Sequence, residues 1–262
     1  MKEKIVWITG ASSGIGAALA KEYHSKGASV ILSARRTEKL NELALGLKER
    51  VAVLPMDVTK IDEVDSKHSE AVALFGPIDI LINNAGISQR GAVVDTDIKV
   101  VQRIMEVNFI GNVAVTKSVL PSMIARKTGT IVVISSLVGK LSTPFRSTYS
   151  ASKHALHGYY DALRAEVASD GLQITVVCPG YIQTEISVHA LNGKGGKHGV
   201  MDQNQEAGME VNKCAKNIYK AVLSGKREFL VGGKETNYVL IRRFLPSMYH
   251  WLIAKMAKEK RF

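Results

Sequence analysis

The stretch VWITGASSGIG, residues 6–16, decides how the chain is read. Val6, Trp7 and Ile8 extend an apolar run from Ile5 with the length and character of a fully buried strand. Gly10, Gly14 and Gly16 then crowd together. Glycine weakens regular structure, so such a cluster marks backbone that must turn sharply or approach something closely. Directly afterwards IGAALAKEYHSKG sets Ile15, Leu19 and Tyr23 at helical spacing, with Gly27 as a stop signal. Strand, glycine turn and helix in that order form a candidate phosphate site, because the amides at a helix N-terminus attract anions.

Working outward, apolar β-like runs recur as IVWIT, SVILS, VAVLP, IDILIN, TIVVIS, QITVVC and EFLV. Between them the segments 14–26, 60–75, 97–126 and 148–170 carry helical periodicity. Alternating strands and helices imply parallel pairing, and continuously apolar strands imply cover on both faces. The expected fold is α/β: a doubly wound parallel sheet of the Rossmann type, about seven strands, helices on both faces. At 262 residues, with no repeat or linker, the chain reads as a single domain over 1–262. Within it, 184–210 is expected to be a substrate lid and 236–262 a short helical C-terminal extension.

Composition excludes several classes. No apolar run reaches the length of a membrane-spanning helix. The N-terminus leads straight into the first strand, so no signal peptide is expected. Cys178 and Cys214 lack metal-like spacing, which favours a reducing, cytoplasmic setting and no metal site. His154 and His157, which can share a helix face, read as packing or solvated residues. The formal charge is +11, but residues 222–262 alone hold nine Lys/Arg against Glu228, Glu235 and Glu259. No recognition motif accompanies that charge, so no nucleic-acid partner is expected.

In a doubly wound sheet, ligands bind beyond the C-terminal strand ends. Those ends are unusual here. Gly10–Gly16 follow the first strand, Asp57 the third and Asn83–Asn84–Ala85–Gly86 the fourth. Ser135–Ser136 follow the fifth, and Pro179–Gly180 the sixth.

These residues resemble the short-chain dehydrogenase/reductase family from about residue 4 to 231. The resemblance is carried by TGASSGIG (9–16), NNAG (83–86), Asn108, Ser136, YSASK (149–153) and PGYIQT (179–184). A single Tyr-x-x-x-Lys carries little by itself; the motifs in order, each at its strand end, carry much more. The resemblance implies that Gly10, Gly14 and Gly16 let the backbone lie against a dinucleotide pyrophosphate, with Ser12, Ser13 and Ile15 on the adenosine side. It implies an adenine contact for Asp57, next to Val58, a role compatible with a turn before the 60–75 helix. Asn84 would fix neighbouring strand backbones, with Ala85 and Gly86 lining the site. Pro179 and Gly180 would pass beneath the nicotinamide, its carboxamide oriented by the Ile182 amide and Thr184.

Charge argues the choice of cofactor. NAD sites place an acid at the end of the second strand, bonded to the ribose 2′-hydroxyl. This chain has Ala34 there, with Arg35 and Arg36 behind it. A guanidinium binds a 2′-phosphate bidentately, so NADP(H) is the expected cofactor.

Tyr149 and Lys153 lie four apart and share a helix face. Ionising a phenol near neutrality needs its ordinary value near ~10 lowered by about 2–3 units, roughly 3–4 kcal/mol. An ammonium about 5 Å away at an effective dielectric of about 20 supplies about 3.3 kcal/mol, from which desolvation subtracts. Tyr149 is thus the expected general acid in reduction and base in oxidation. By resemblance, Ser136 bonds the substrate oxygen, Lys153 also bonds the nicotinamide ribose, and Asn108 holds the water of a proton relay through a local helix distortion.

The implied activity is an NADP(H)-dependent transfer of hydride between nicotinamide and the carbon of a small-molecule secondary alcohol or ketone. Leu137, Phe145, Tyr181, Leu191 and Met201 are candidate pocket residues and favour a fairly apolar substrate. Gly193, Gly195, Gly196 and Gly199 are expected to make the lid mobile. Two alternatives stand beside this reading: a 3-oxoacyl-(acyl-carrier-protein) reductase, and a non-catalytic NADP(H)-binding sensor or scaffold. A homodimer or homotetramer through the 97–126 and 148–170 helices is a family expectation. In the tail, Pro246 is expected to separate two short helices, and Leu245, Met248, Leu252 and Met256 form a stripe near Trp251, Lys255, Lys258 and Lys260. Peripheral membrane contact, a subunit contact and a flap over the substrate opening are all open for it.

Overall fold

A computed structural model describes residues 1–259; Lys260, named beside the tail stripe, lies outside them. The order of elements is β1 (Ile5–Thr9), α1 (Gly14–Ser25), β2 (Ser29–Ser33), α2 (Thr37–Leu47), β3 (Val51–Val53), α3 (Val64–Phe75) and β4 (Ile80–Asn83). After these come α4 (Ile98–Met105), α5 (Gly111–Arg126), β5 (Gly129–Ile134), α6 (Ser147–Glu166) and β6 (Leu172–Pro179). The chain continues with α7 (Gln203–Glu206), α8 (Val211–Leu223), β7 (Glu228–Val231), α9 (Asn237–Phe244) and α10 (Pro246–Glu259).

The seven strands form one sheet in the order β3-β2-β1-β4-β5-β6-β7, every neighbouring pair parallel. Alternate residues of each strand face opposite layers. Val6 and Ile8 of β1, with Val30, Leu32 and Ile82, pack on Leu19 and Tyr23 of α1 and Ile218 of α8. Trp7, Ile31, Leu81 and Val133 point the other way, into the layer containing Val115 and Val119 of α5 and Leu156 and Tyr160 of α6. Both layers are buried, which explains why the strands read as unbroken apolar runs.

Strand order reverses between β1 and its neighbours β2 and β4, so the carboxyl ends of these strands open a crevice. The periodic segment 97–126 is not one α-helix: residues Glu106–Ile110 form a π-helical turn between α4 and α5. Pro246 opens α10, where its missing amide costs nothing. Among the described residues, no helix is long and apolar enough to cross a membrane.

Candidate active site

The crevice is a cavity of about 630 Å³ running along the C-terminal strand ends. Gly10 and Gly14 hold positive φ angles of 65° and 55°, which gives the first turn its path. A Cβ on Gly10 would lie 2.8 Å from the Ala85 Cα. Gly16 has another task. It does not reach the cavity, and a Cβ there would sit 2.4 Å from the Gly10 carbonyl oxygen and from Asn84 Nδ2. The third glycine thus brings α1 against β1 rather than meeting a ligand directly.

Asn84 ties these strands together: Nδ2 donates to the Thr9 carbonyl at 3.1 Å and the Gly10 carbonyl at 3.0 Å. Ser12, Ser13 and Ile15 line the cavity, and so do Val58, Ala85 and Gly86. Arg36 lies across this end, with Nη2 donating to Ser12 Oγ at 3.0 Å and Ser13 Oγ at 2.7 Å. Arg35 also lines it. Asp57 accepts from the Thr59 amide at 3.0 Å and the Thr59 hydroxyl at 2.8 Å, closing a turn before α3. Burial opposes its charge, but those bonds, with Arg35 and Arg103, hold its carboxyl below the ordinary range.

At the other end, Tyr149 and Lys153 both line the cavity from α6. Lys153 Nζ donates to the Ile134 carbonyl at 2.8 Å and lies 5.8 Å from the centroid of the Tyr149 ring. Burial pushes the ammonium down to about 8. The phenol departs from expectation. Burial raises its pKa, while the Ser136 hydroxyl and the charges of Arg90 and Arg146 pull it partly back. Desolvation outweighs the expected lowering, and the cations that oppose it are arginines that sequence reasoning did not single out. Ser136 Oγ donates to the Pro179 carbonyl at 3.3 Å and also accepts from the Val138 amide at 3.3 Å.

Asn108 does sit in a helix distortion, the π-turn, but its side chain does not line the cavity. Its amide is fully engaged: Oδ1 accepts from the Ile87 amide, and Nδ2 donates to the Ile87 carbonyl and Ser152 Oγ. Pro179, Gly180, Ile182 and Thr184 line the floor. Gln205, unnoticed in the sequence, fixes that floor from α7 by donating to the Ile182 carbonyl at 2.6 Å and Thr184 Oγ1 at 3.0 Å.

Of the candidate pocket residues, Leu137, Tyr181 and Leu191 line the cavity, whereas Phe145 and Met201 do not. Met201 is occupied elsewhere, its sulfur accepting from Ser187 Oγ. The segment expected to be a lid is tied to the chain before α4. The Arg90 amide donates to the Leu191 carbonyl, and the Asp97 amide to the Gly193 carbonyl. One face of the tail closes the cavity: Tyr249, Ile253 and Met256 line it, and Tyr249 Oη donates to the Ser142 carbonyl at 2.5 Å. Among the described residues, His157, Cys178 and Glu228 gather potential ligand atoms within 4.8 Å, but Glu228 already pairs with Lys140 at 2.8 Å.

Residues 4–195, which carry the glycine turn, Ser136, Tyr149 and Lys153, match the family model for short chain dehydrogenases. The chain belongs to the short-chain dehydrogenase/reductase family. The match extends to whole proteins. Dehydrogenase/reductase SDR family member 7B of Danio rerio is 40% identical over 270 residues, covering 99% of this chain and 87% of that protein. An SDR family protein 7-like of Anopheles gambiae is 42% identical, covering 98% and 84%. A solved short-chain dehydrogenase from Streptomyces avermitilis superposes with a TM-score of 0.82 at 29% identity, over 99% of both chains. Solved proteins of this fold carry NAD in one case and NADP+ in another. The cradle in this chain fits a dinucleotide by its own geometry. It joins side-chain-free backbone at Gly10, Gly14, Gly86 and Gly180 to the N-terminus of α1, whose first turn holds no acid.

Proposed function

We propose that this protein is an NADP(H)-dependent oxidoreductase acting on a secondary alcohol or ketone, with Tyr149 as the group that moves the proton. The observation that carries the reading is that Tyr149, Lys153 and Ser136 line the same cavity as the glycine turn. When bound, the nicotinamide supplies or accepts the hydride.

The chain's own residues do the rest. Gly10 and Gly14, with the amides of the first turn of α1, would hold the pyrophosphate. Pro179, Gly180, Ile182 and Thr184 would support the nicotinamide end, and Lys153 its ribose. Ser136 would orient the carbonyl oxygen. Tyr149 would give its phenolic proton to that oxygen in reduction and take it back in oxidation. A phenol kept protonated by burial is present in the acid form that the reductive step uses.

NADP(H) is supported by Ala34 in place of an acid and by Arg35 and Arg36 at the adenosine end. Arg36 is held at this end by its bonds to Ser12 and Ser13, and its guanidinium would supply charged donors to a 2′-phosphate there. The acyl-carrier reading draws no support from the relatives named above. Turnover of NADPH across a ketone panel, lost in Tyr149→Phe, tests the proposal. Tight cofactor binding with no turnover of any ketone would instead make the protein a sensor.

A further inference from the structure

The reactive end of the cavity holds more positive charge than hydride transfer requires. Arg90, in the loop after β4, and Arg146, just before α6, both line it. Their side chains are only 10% and 18% exposed. Guanidinium groups are rarely buried so far unless paired. One carboxylate is shared between them. Asp202 accepts from Arg146 Nη2 at 2.5 Å, while Arg90 Nη2 stands 3.7 Å away, beyond hydrogen-bond length. Asp202 is also committed as the N-cap of α7, and it does not line the cavity.

Arg90 spends Nη1 on Ser88 Oγ at 2.7 Å and the Gln89 carbonyl at 3.0 Å. Nη2 has no hydrogen-bonded acceptor among the described residues. Burial and the neighbouring Arg146 push the Arg90 guanidinium down to about 10, and Asp202, Tyr149 and Tyr181 oppose that. Both phenols in turn feel both arginines. A desolvated cation beside the proposed proton donor, with one edge unused, is a half-built ion pair. The acids that line this end are otherwise engaged. Glu235 Oε1 accepts from the Tyr181 and Gly233 amides, and Glu185 pairs with His189.

We propose that the substrate carries an anionic group, a carboxylate or a phosphate monoester, seated on Arg90 and Arg146 beside the carbonyl served by Tyr149. The apolar remainder of such a molecule fits the wall made by Leu141, Tyr249, Ile253 and Met256. The expectation of a fairly apolar substrate becomes that of an amphiphile, with its charged end next to the reacting carbon. Arg90 and Arg146 are specificity residues in this account, and it rests on the oxidoreductase reading only for the carbonyl.

The test therefore separates anion binding from turnover. Octanoate, octyl phosphate and octan-1-ol are titrated calorimetrically into the full chain at fixed ionic strength, with and without NADP+. At least one of the two anions should bind ten-fold or more tightly than the alcohol; which one identifies the headgroup. Arg90→Gln should abolish that preference and Arg90→Lys retain part of it. Because Arg90 is buried, circular dichroism checks the fold, and Arg146→Gln serves as a second, independent variant. Equal binding of all three probes overturns the proposal. So does an anion preference that survives in folded Arg90→Gln and Arg146→Gln alike. Anion binding without turnover of any ketone, whether neutral or carrying a carboxylate or a phosphate, leaves this inference standing and defeats the oxidoreductase reading instead.

Discussion

Lys153 donates through Nζ to the Ile134 carbonyl at 2.8 Å, and this bond fixes the ammonium at the end of β5 beside the ring of Tyr149. Burial makes that charge a cost to stability rather than a contribution to it. Its pKa is pushed down to about 8 by burial, so the unfolded chain binds more protons between pH 8 and about 10.5. Stability should therefore rise with pH across that window, while below pH 8 the full cost of the buried charge applies. Lys153→Met should lose at least 100-fold in kcat/KM yet gain about 1–3 kcal/mol in urea unfolding at pH 7. A destabilised Lys153→Met would show that the ammonium is structural.

Gly16 is expected to matter through packing. Because a Cβ there meets the Gly10 carbonyl oxygen at 2.4 Å, Gly16→Ala must push α1 away from β1. A loss of about 2–4 kcal/mol in unfolding free energy follows, far more than a solvent-facing Gly→Ala change produces. Unfolding curves that coincide with the parent would contradict the close helix–strand contact.

Cofactor choice is assigned to the end of β2. The double variant Ala34→Asp with Arg35→Ala installs a carboxylate and removes a guanidinium from the cavity. The NADP/NAD ratio of kcat/KM should fall at least ten-fold, since either change alone is worth a charged hydrogen bond. An unchanged ratio would place 2′-phosphate recognition elsewhere.

His157 supplies a pH signature for the fold. Burial, the largest influence, and the Lys140 charge push it down to about 4, so it stays neutral in the folded protein. Its contribution to stability is complete above the unfolded value near 6.5 and is lost as pH falls through 4. His68 and His198 are shifted the same way and steepen the same slope. His157→Asn should flatten the fall of stability between pH 6.5 and 4 by about 2 kcal/mol, read by urea unfolding at successive pH values. An identical slope would mean that the imidazole is solvated.

These cases show what was legible in the sequence. All seven strands and the glycine turn stood out because local periodicity and spacing encode them, whereas Ser136, Tyr149 and Lys153 were picked out as a set by the resemblance to the short-chain dehydrogenase/reductase family. The π-turn at Glu106–Ile110 left no mark on the periodicity, since an inserted residue hardly disturbs an apolar stripe, and a helix distortion at Asn108 was expected only through the family resemblance. Arg90 and Arg146 look like ordinary loop cations until the fold brings them to Asp202, fifty-six residues beyond Arg146. The upward shift of Tyr149 was missed for a related reason: desolvation depends on how many groups close over the phenol. The tail's role as a cavity wall rests on Tyr249 reaching Ser142, 107 residues earlier, which no local pattern announces. Phe145 and Met201 were placed in the pocket because apolar loop residues near a site all look alike in sequence.

The central claim is that the Tyr149 phenol is the proton-moving group in a hydride transfer. It is tested most directly by following NADPH absorbance with a ketone panel for the parent and Tyr149→Phe, alongside calorimetric titration of NADP+ into both. Parent turnover that falls at least 1,000-fold in the variant, with NADP+ affinity within about three-fold, is the predicted result. A variant that turns over ketones at the parent rate would contradict it.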